Sequence, residues 1–326
     1  MIKTLKLLEG SSFDPYYNLA VEEQLLETVE QDCCILYLWQ NGHTVVIGKN
    51  QNAFAECRTG LLEAEGGLLA RRLSGGGAVY HDLGNLNFTF LMPSEDYDLE
   101  KQLDVILTAC RALGIPAEKS GRNDVLAEGK KFSGNAFYRG KRNSYHHGTL
   151  MVAADLEKLG RYLSPSKAKL EAKGVKSVRS RVTNLREFAP NLTVDSLKAA
   201  LTTAFSQIYG LPVTAMAASD LDAAAVERLR QRNSGWDWNF GSAPVCTVRL
   251  EKRFSWGGTE LLMEVSEGSV KACRVYSDAM DHALPLQIEQ ALAGCRFTTA
   301  ALCQALSAVD EPYRGDLAAF LREQEL

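Results

Sequence analysis

The sequence contains no feature that would place the chain in a membrane or outside the cell. It has no apolar run of membrane-spanning length, and its first residues do not form the apolar segment of a secretory leader. Its 8 cysteines include no CxxC spacing, which argues against a structural zinc site. We therefore expect a cytoplasmic protein whose cysteines are reduced and mostly buried.

An excess of positive charge is also missing. The 36 lysines and arginines are outnumbered by 40 aspartates and glutamates, which gives a net charge of −4. Because a nucleic-acid-binding chain usually carries the opposite balance, we expect no nucleic-acid partner. An anionic substrate would have to be bound by basic residues that are gathered locally.

Three common catalytic and nucleotide-binding motifs are absent as well. No Gly-Lys-Ser/Thr follows the glycine run, no GxGxxG opens a helix, and no GxSxG elbow occurs. Internal repeats and low-complexity tracts are missing too. The composition is that of an ordinary globular protein, and its 326 residues suffice for two domains.

Local patterns predict a mixture of helices and strands. Asp14-Pro15 is typical of a helix start, and this helix should reach about Val29. Strand-like stretches are 35–39, 44–48, 68–72 and 86–91, further helices are 98–113, 155–163 and 193–209, and a meander of three strands spans 123–152. Turn formers between 233 and 244 predict a linker before a small unit of three strands and two or three helices.

The strongest functional pattern is the run from Arg71 to Asp82, Arg-Arg-Leu-Ser-Gly-Gly-Gly-Ala-Val-Tyr-His-Asp. Three successive glycines allow a close backbone approach and can expose successive N–H groups to a phosphate or carboxylate. The two arginines would add charge and bidentate donors. A flexible surface hairpin is the alternative. Ser74, His81 and Asp82 could also compose a catalytic triad, although no specific feature supports one.

A second pattern joins Asn123-Asp124 to Gly129-Lys130-Lys131-Phe132-Ser133-Gly134. In a strand, Lys130 and Lys131 point to opposite faces, so one can be solvated while the other enters a pocket. A lysine in a pocket can neutralise charge on a transferring phosphoryl or acyl group. Asp124 could hold a Mg²⁺ that bridges phosphates. Two solvated lysines on an edge strand are the alternative.

Two further patterns are less specific. His146 and His147 are adjacent, so in a strand they face opposite ways and do not readily share one metal. One of them can line the pocket, whereas a structural hydrogen bond is the simpler role for either. The basic segment 173–185 could cover phosphates, dock an acidic partner or form a solvated face.

Taken together, these segments resemble the lipoate–protein ligase A family, which belongs to the biotin/lipoate protein ligases. The resemblance covers nearly the whole chain in the same order, from Asn18, Ala20 and Glu22-Glu23 through 48–52 to 236–241 and the C-terminal unit. The runs at 71–82, 131–134 and 173–182 are long and specific. Chance agreement of all three is negligible.

The resemblance implies an α+β fold. Residues 1–243 would form a catalytic domain with a mixed β-sheet flanked by helices, and residues 244–326 a small α+β accessory domain that moves during the cycle. Lys131 would contact both ATP and lipoate and act as the catalytic residue. The residues implied to bind ATP or lipoate are Arg72, Ser74, Gly75, Gly76, Gly77, Ala78, Val79, Tyr80, Asn123, Asp124, Lys131 and His147, with Asp124 also a Mg²⁺ ligand.

The resemblance further implies a reaction in two steps. The lipoate carboxylate attacks the α-phosphate of ATP, with Mg²⁺ present, to give lipoyl-AMP and pyrophosphate. A lysine of a carrier then takes the lipoyl group. The carriers would be lipoyl domains of 2-oxoacid dehydrogenase acyltransferase subunits or the glycine-cleavage H protein, in a route that salvages exogenous lipoate.

Some expectations about the substrate and the assembly follow. Leu19, Val46, Val79 and Phe90 could line a tunnel for the lipoate tail, although core packing explains them equally well. The enzyme is expected to be a monomer with no tightly bound metal and no membrane partner.

Relatives of the same fold provide the alternatives. An octanoyl- or lipoyltransferase would use an acyl-cysteine, but 111–245 contain no cysteine, which leaves Cys57 and Cys110 as weak candidates. Such enzymes also tend to lack a small C-terminal domain. A biotin ligase would carry Gly-Arg-Gly-Arg, which is absent. A binding protein without turnover would be expected to have lost Lys131 or the glycine run, and both are present.

Overall fold

The computed structural model describes residues 1–121, 124–163, 182–240, 248–266 and 268–324. Three expectations concern residues outside these ranges: the site residue Asn123, most of the basic segment 173–185, and the domain boundary between 243 and 244. That boundary stays a prediction. Within the described ranges, no helix has the length and apolar character needed to cross a bilayer.

An eight-stranded mixed β-sheet forms the centre of the larger part of the protein. In spatial order its strands are β11 (Val213–Met216), β1 (Thr4–Glu9), β2 (Cys33–Trp39), β6 (Asn85–Pro93), β10 (Asn143–Met151), β9 (Lys130–Arg139), β8 (Asp124–Ala127) and β7 (Ala117–Ser120). β1 pairs in parallel with β11 and β2, whereas the pairs from β2 to β7 are antiparallel. Parallel neighbours need a crossover connection, and α1 (Pro15–Thr28) supplies it between β1 and β2.

Helices cover this sheet on both faces, and β6 shows why. Side chains alternate along a strand, so Phe88 and Phe90 pack against α4 (Leu99–Ala112) and α6 (Val194–Tyr209) on one face. Thr89 lies between them and points to the other face, where its hydroxyl donates to Glu22 of α1 at 2.7 Å. α7 (Ala223–Ser234) packs beside α1 on that side.

A second sheet of three strands positions the glycine run. β3 (Thr44–Ile47) lies at its centre, parallel to β4 (Leu68–Arg71) and antiparallel to β5 (Val79–His81). The chain leaves β4 and returns in β5, so 72–78 form the connecting loop, called here the glycine loop. Gly48 directly follows β3, and a Cβ there would lie 2.3 Å from the carbonyl oxygen of Gly76. Only glycine permits this contact.

Short helices surround the small sheet, and the expected meander follows it in sequence. The helices α2 (Ala53–Glu56), α3 (Thr59–Ala64) and α5 (Leu156–Tyr162) share a buried cluster with β3 and β5. β8, β9 and β10 confirm the meander. The turn between the first two has positive φ at Glu128 (48°) and Gly129 (76°).

The C-terminal part, called here the accessory unit, has its own core. β12 (Val248–Phe254), β13 (Gly257–Ser266) and β14 (Ser269–Ser277) form an antiparallel sheet. The helices of this part are α9 (Leu284–Leu292), α10 (Thr299–Ala305) and α11 (Tyr313–Glu323). They share one buried core with the sheet, which includes Met263 of β13, Ile288 of α9 and Leu317 of α11. The expected α+β class, a mixed sheet flanked by helices with a small C-terminal unit, is confirmed.

Replacing Leu36 by alanine should destabilise the protein by about 2–5 kcal/mol, because Leu36 is fully buried in β2 and its loss leaves a cavity. Leu83→Ala is the matched control, since Leu83 is 51% exposed and should change stability by less than about 0.5 kcal/mol. Urea unfolding followed by tryptophan fluorescence measures both. Equal midpoints for the two variants would contradict the burial assigned to Leu36.

Candidate functional site

A cavity of about 240 Å³ lies where the two sheets of the larger part meet the accessory unit. Of the residues expected at the site, those that line it are Arg72, Gly76, Gly77, Ala78, Val79, Tyr80, Lys131 and His147. Ser74 and Gly75 are buried beside this wall, and Asp124 is joined to it through an ion pair with Lys131. The patterns at 71–82, 129–134 and 146–149 therefore converge on one place.

The guanidinium of Arg72 holds the glycine loop from inside. Its Nη2 donates to the carbonyl oxygens of Gly75 at 2.7 Å and Gly77 at 2.8 Å. Its Nη1 donates to Val46 at 3.2 Å, and its Nε to the Ser74 hydroxyl at 3.0 Å. Burial lowers the pKa of Arg72 to about 10, so the group stays charged at neutral pH. Arg72 thus shapes the cavity wall as well as lining it.

Arg71 faces away from the cavity. Its Nη1 donates to the carbonyl oxygens of Gly48, Lys49 and Gln51, at 3.1, 2.9 and 2.7 Å. Its Nε donates to the carbonyl oxygen of Trp238, in α8 (Trp236–Asn239), at 2.9 Å. The expectation that both arginines face an anionic ligand is wrong for Arg71, because main-chain carbonyls occupy its donors.

The glycine loop also receives the accessory unit. The N–H of Gly76, which has φ of +87°, donates to the carbonyl oxygen of Ala279 at 3.0 Å. A Cβ on Gly75 would lie 2.3 Å from that oxygen and 2.8 Å from the carbonyl oxygen of Met280. The glycines therefore permit a close backbone contact, but the N–H of Gly76 is paired within the protein rather than exposed.

Further contacts hold the accessory unit at this position. The N–H of Ser277 donates to the carbonyl oxygen of Asn50 at 2.7 Å, and Asn50 Nδ2 donates to that of His282 at 2.8 Å. The imidazole of His282 stacks on the ring of Tyr138, with 4.4 Å between centroids. These contacts hold the segment 277–282, of which Asp278 and Met280 line the cavity.

A buried polar chain links the glycine loop to the large sheet. Ser74 Oγ lies 2.8 Å from His147 Nε2, and His147 Nδ1 lies 2.8 Å from Glu22 Oε1. The same Glu22 oxygen accepts the Thr89 hydroxyl at 2.7 Å, and Trp39 Nε1 donates to Thr89 Oγ1 at 3.1 Å. His147 therefore lines the cavity and also makes the structural hydrogen bonds expected of one histidine.

Ser74, His147 and Glu22 are connected in the order of a catalytic triad, but the burial of Ser74 argues against its acting as a nucleophile. Ser74 has no exposed surface and accepts a hydrogen bond from Arg72. The triad considered from the sequence is also not formed. His81 Nδ1 lies 3.1 Å from Asn41 Nδ2, and Asp82 accepts the N–H of Gly84 at 2.8 Å. Ser74 instead ties the loop to β10.

His146 confirms that the adjacent histidines face opposite ways. Its Nδ1 lies 3.1 Å from Gln102 Oε1 and its Nε2 lies 2.8 Å from Asn135 Oδ1. Burial lowers the pKa of His146 to about 3, which keeps the imidazole neutral at physiological pH. The two histidines therefore do not share a site.

Lys131 is the ammonium group in the cavity wall. Its Nζ lies 2.6 Å from Asp124 Oδ1, and its side chain is 19% exposed. Lys130 is 56% exposed and pairs with Glu187 at 3.7 Å, which confirms the alternation expected of this strand. The end of the basic segment also reaches this place, because the N–H of Thr183 donates to the carbonyl oxygen of Lys131 at 2.9 Å.

The apolar part of the cavity comes from several elements. Leu19 of α1, Val46 of β3 and Val79 of β5 line it, as expected if they form a tunnel, and Trp39 of β2 lines it too. Phe90 does not. It is fully buried on the other face of the sheet, 5.7 Å from the ring of Phe205, so core packing explains it.

Several cavity residues were missed from the sequence. Asn85 and Asn87 of β6 line it, and Asn85 Oδ1 and Asn87 Nδ2 are buried with no hydrogen-bond partner in the described part of the chain. The accessory unit adds Arg253, Trp256 and Asp278. The alternation of polar residues on β6 could have revealed the asparagines, whereas no local pattern indicates the accessory residues.

Comparison with known proteins gives a consistent result. The family model of the lipoyl protein ligase A/B catalytic domain matches residues 14–206, and that of the bacterial lipoate protein ligase C-terminus matches 243–319. The crystal structure of P. falciparum LipL1 in complex with lipoate aligns with a TM-score of 0.87 and 28% identity, over 98% of this chain and 99% of that chain.

Two further solved structures are similar to a smaller share of this chain. The bi-partite lipoate protein ligase of Thermoplasma acidophilum, described together with its E2 lipoyl domain, aligns with a TM-score of 0.66 and 30% identity, over 76% of this chain and 100% of that chain. A lipoate-protein ligase A bound with ATP aligns with a TM-score of 0.65 and 28% identity, over 74% and 99% of the two chains.

Gly75→Ala should loosen the accessory unit, because the new methyl group would clash with main-chain oxygens of Ala279 and Met280. Hydrogen–deuterium exchange in 277–282 should become faster than in the wild type. Gly160→Ala is the control, since Gly160 lies in α5 and a methyl group there would meet no atom within 4 Å. Unchanged exchange in Gly75→Ala would contradict the contact.

Proposed function

Because this chain belongs to the lipoate–protein ligase family, we propose that it is an ATP-dependent lipoate–protein ligase. It activates lipoate as lipoyl-AMP, with release of pyrophosphate, and transfers the lipoyl group to a lysine of a carrier domain, as a salvage route for exogenous lipoate requires. The observation that carries the proposal is the ammonium of Lys131 in the wall of a cavity with the glycine loop on one side and an apolar wall on another. P. falciparum LipL1 is solved with lipoate and a lipoate-protein ligase A with ATP, which supports both ligands here.

The first step is adenylation. A carboxylate oxygen of lipoate attacks the α-phosphorus of ATP, and the bond to the bridging oxygen of pyrophosphate breaks. Negative charge develops on the phosphoryl oxygens, where Lys131 provides a fixed positive charge. The ion pair with Asp124 restricts the Lys131 side chain before substrate enters. The nucleotide lies along Gly77–Tyr80, which Arg72 holds in place.

Asp124 fits a role as a magnesium ligand. A magnesium ion bound with a nucleotide takes one or two protein carboxylates and completes its shell with phosphate oxygens and water. Asp124 supplies one such carboxylate beside Lys131, and the described residues contain no group of three or more metal-ligating side chains. When bound there, the ion would neutralise phosphate charge.

The apolar wall of the cavity suits the lipoyl end of lipoyl-AMP, and the wall formed by the glycine loop suits its nucleotide end. The dithiolane ring and aliphatic chain of lipoate can pack against Leu19, Trp39 and Val46. Asn85 Oδ1 and Asn87 Nδ2 offer an acceptor and a donor that lack partners in the described residues. Buried polar groups gain most from a ligand that satisfies them, which supports a substrate with both apolar and polar parts.

The second step is acyl transfer. The amine of a carrier lysine attacks the acyl carbonyl of lipoyl-AMP, and AMP leaves with the electron pair of the broken bond. The T. acidophilum ligase is described with its E2 lipoyl domain, which supports lipoyl domains of 2-oxoacid dehydrogenase complexes as carriers, with the glycine-cleavage H protein as a second carrier of the same chemistry. A monomer with domains 1–243 and 244–326 is part of the proposal.

The rival transferase mechanism needs a reactive cysteine, and neither Cys57 nor Cys110 favours it. Cys57 is 2% exposed, and burial raises its pKa to about 12; burial likewise raises that of Cys110 to about 12. At pH 7 to 8 both stay protonated, whereas the nucleophile must be a thiolate.

Lys131→Ala should abolish lipoate-dependent pyrophosphate release, because the fixed positive charge at the reacting phosphate is lost. We expect a decrease in kcat of roughly 100-fold or more. Lys130→Ala is the matched control, because the Lys130 side chain is solvated. This substitution should leave the rate within about twofold of wild type. Coupled measurement of pyrophosphate tests both, and equal losses would remove Lys131 from its proposed role.

Cys57→Ser and Cys110→Ser should retain pyrophosphate release and lipoyl transfer, because neither thiol takes part in the proposed reaction. Mass spectrometry of the carrier measures the transfer. If instead either variant lost transfer, and the wild type moved acyl groups from an acylated protein without ATP, the chain would be a transferase.

A further inference from the structure

The accessory unit places an arginine in the cavity wall. Arg253, near the end of β12, lines the cavity together with Trp256 of the following turn and Gly257, the first residue of β13. Its side chain is 22% exposed, so most of it is withdrawn from solvent. A guanidinium in such a position is stabilised when an anion occupies the neighbouring space.

Arg253 is fixed close to the glycine loop. Its Nη1 lies 3.3 Å from Asp278 Oδ2, and Asp278 Oδ1 accepts the N–H of Gly258 at 2.7 Å. The next residue, Ala279, accepts the N–H of Gly76 at 3.0 Å. The docked accessory unit therefore brings this guanidinium to the side of the cavity formed by the glycine loop.

The positive charges of Arg72 and Lys131 already interact with groups of the protein. Arg72 directs donors to carbonyl oxygens of its own loop, and Lys131 shares its charge with Asp124. ATP brings three phosphoryl groups, most of whose negative charge lies on the β- and γ-phosphates. Arg72, Lys131 and a magnesium ion held at Asp124 would together balance this charge only in part.

We propose that Arg253 binds the β- and γ-phosphates of ATP while the accessory unit is docked, so that this unit completes the nucleotide site. A guanidinium presents a planar fork of donors that matches two phosphate oxygens. The contact with Asp278 holds one nitrogen of that fork and fixes its place at the wall. This inference rests on the proposed function and assigns part of its ATP site to the accessory unit.

The assignment separates the two half-reactions. Adenylation begins with the triphosphate bound, whereas lipoyl-AMP retains a single phosphate after pyrophosphate has left. Loss of Arg253 should therefore impair the use of ATP and leave transfer from preformed lipoyl-AMP almost unchanged. A residue that only stabilised the fold would affect both half-reactions to the same degree.

The test compares Arg253→Gln with Arg249→Gln in the full-length enzyme. Arg249 lies on the same strand, is 62% exposed and pairs with Glu260 at 2.7 Å. With lipoate saturating, Arg253→Gln should raise KM for ATP and lower kcat/KM for pyrophosphate release by roughly 10- to 100-fold, the range for loss of a charge-assisted hydrogen bond. Arg249→Gln should remain within about twofold of wild type, as expected for a surface ion pair.

The outcomes distinguish this inference from the proposed function. If the wild type released no lipoate-dependent pyrophosphate, the proposed function itself would fail. If the wild type did so and Arg253→Gln matched Arg249→Gln, or lost transfer from preformed lipoyl-AMP equally, the role of Arg253 would be overturned. Arg253→Lys keeps the charge and should give an ATP KM between those of wild type and Arg253→Gln. If folded Arg253→Lys and folded Arg253→Gln had the same KM for ATP, this would also count against a contact between Arg253 and the phosphates.

Discussion

A charged guanidinium that leaves water has to find acceptors inside the protein, and Arg72 finds them in its own loop and in β3. The carbonyl oxygens of Gly75, Gly77 and Val46 converge on it together with the Ser74 hydroxyl. Leaving a buried charge without such partners would cost several kcal/mol. Because the carbonyls turn inward to Arg72, the backbone of the loop is fixed in the shape that forms the cavity wall and receives Ala279 of the accessory unit.

The strict alternation of side chains along β6 and β10 divides the sheet into an apolar core and a polar site. Phe88 packs into the core, whereas Asn87, one position before it, lines the cavity. In the same way His146 is enclosed between core and polar partners, and His147 faces the cavity and the glycine loop. A shift of one residue in register would exchange these faces, so the pairing of the central strands determines the chemistry of the site.

Much of the fold could be predicted from the sequence because local signals determine local backbone. Asp14 caps α1, as expected, by accepting the N–H of Tyr16, and Thr193 and Gly210 mark the two ends of α6. Strand alternation correctly separated Lys130 from Lys131. The short strands β1 and β11 and the helix α7 escaped prediction, since their stability comes from pairing and packing with distant segments rather than from a strong pattern of their own.

The sequence by itself therefore determined many of the elements, the opposite faces of Lys130 and Lys131 and the motifs that carry the site. The tertiary structure alone decided which of the two arginines lines the cavity, because Arg71 is taken by carbonyls of loops distant in sequence. It also decided that Val79 lines the cavity whereas Phe90 belongs to the core. Only the docked accessory unit brings Arg253 to the glycine loop, which lies far from it in the chain. Such partnerships depend on how separate elements pack together, and no local pattern of residues records that arrangement.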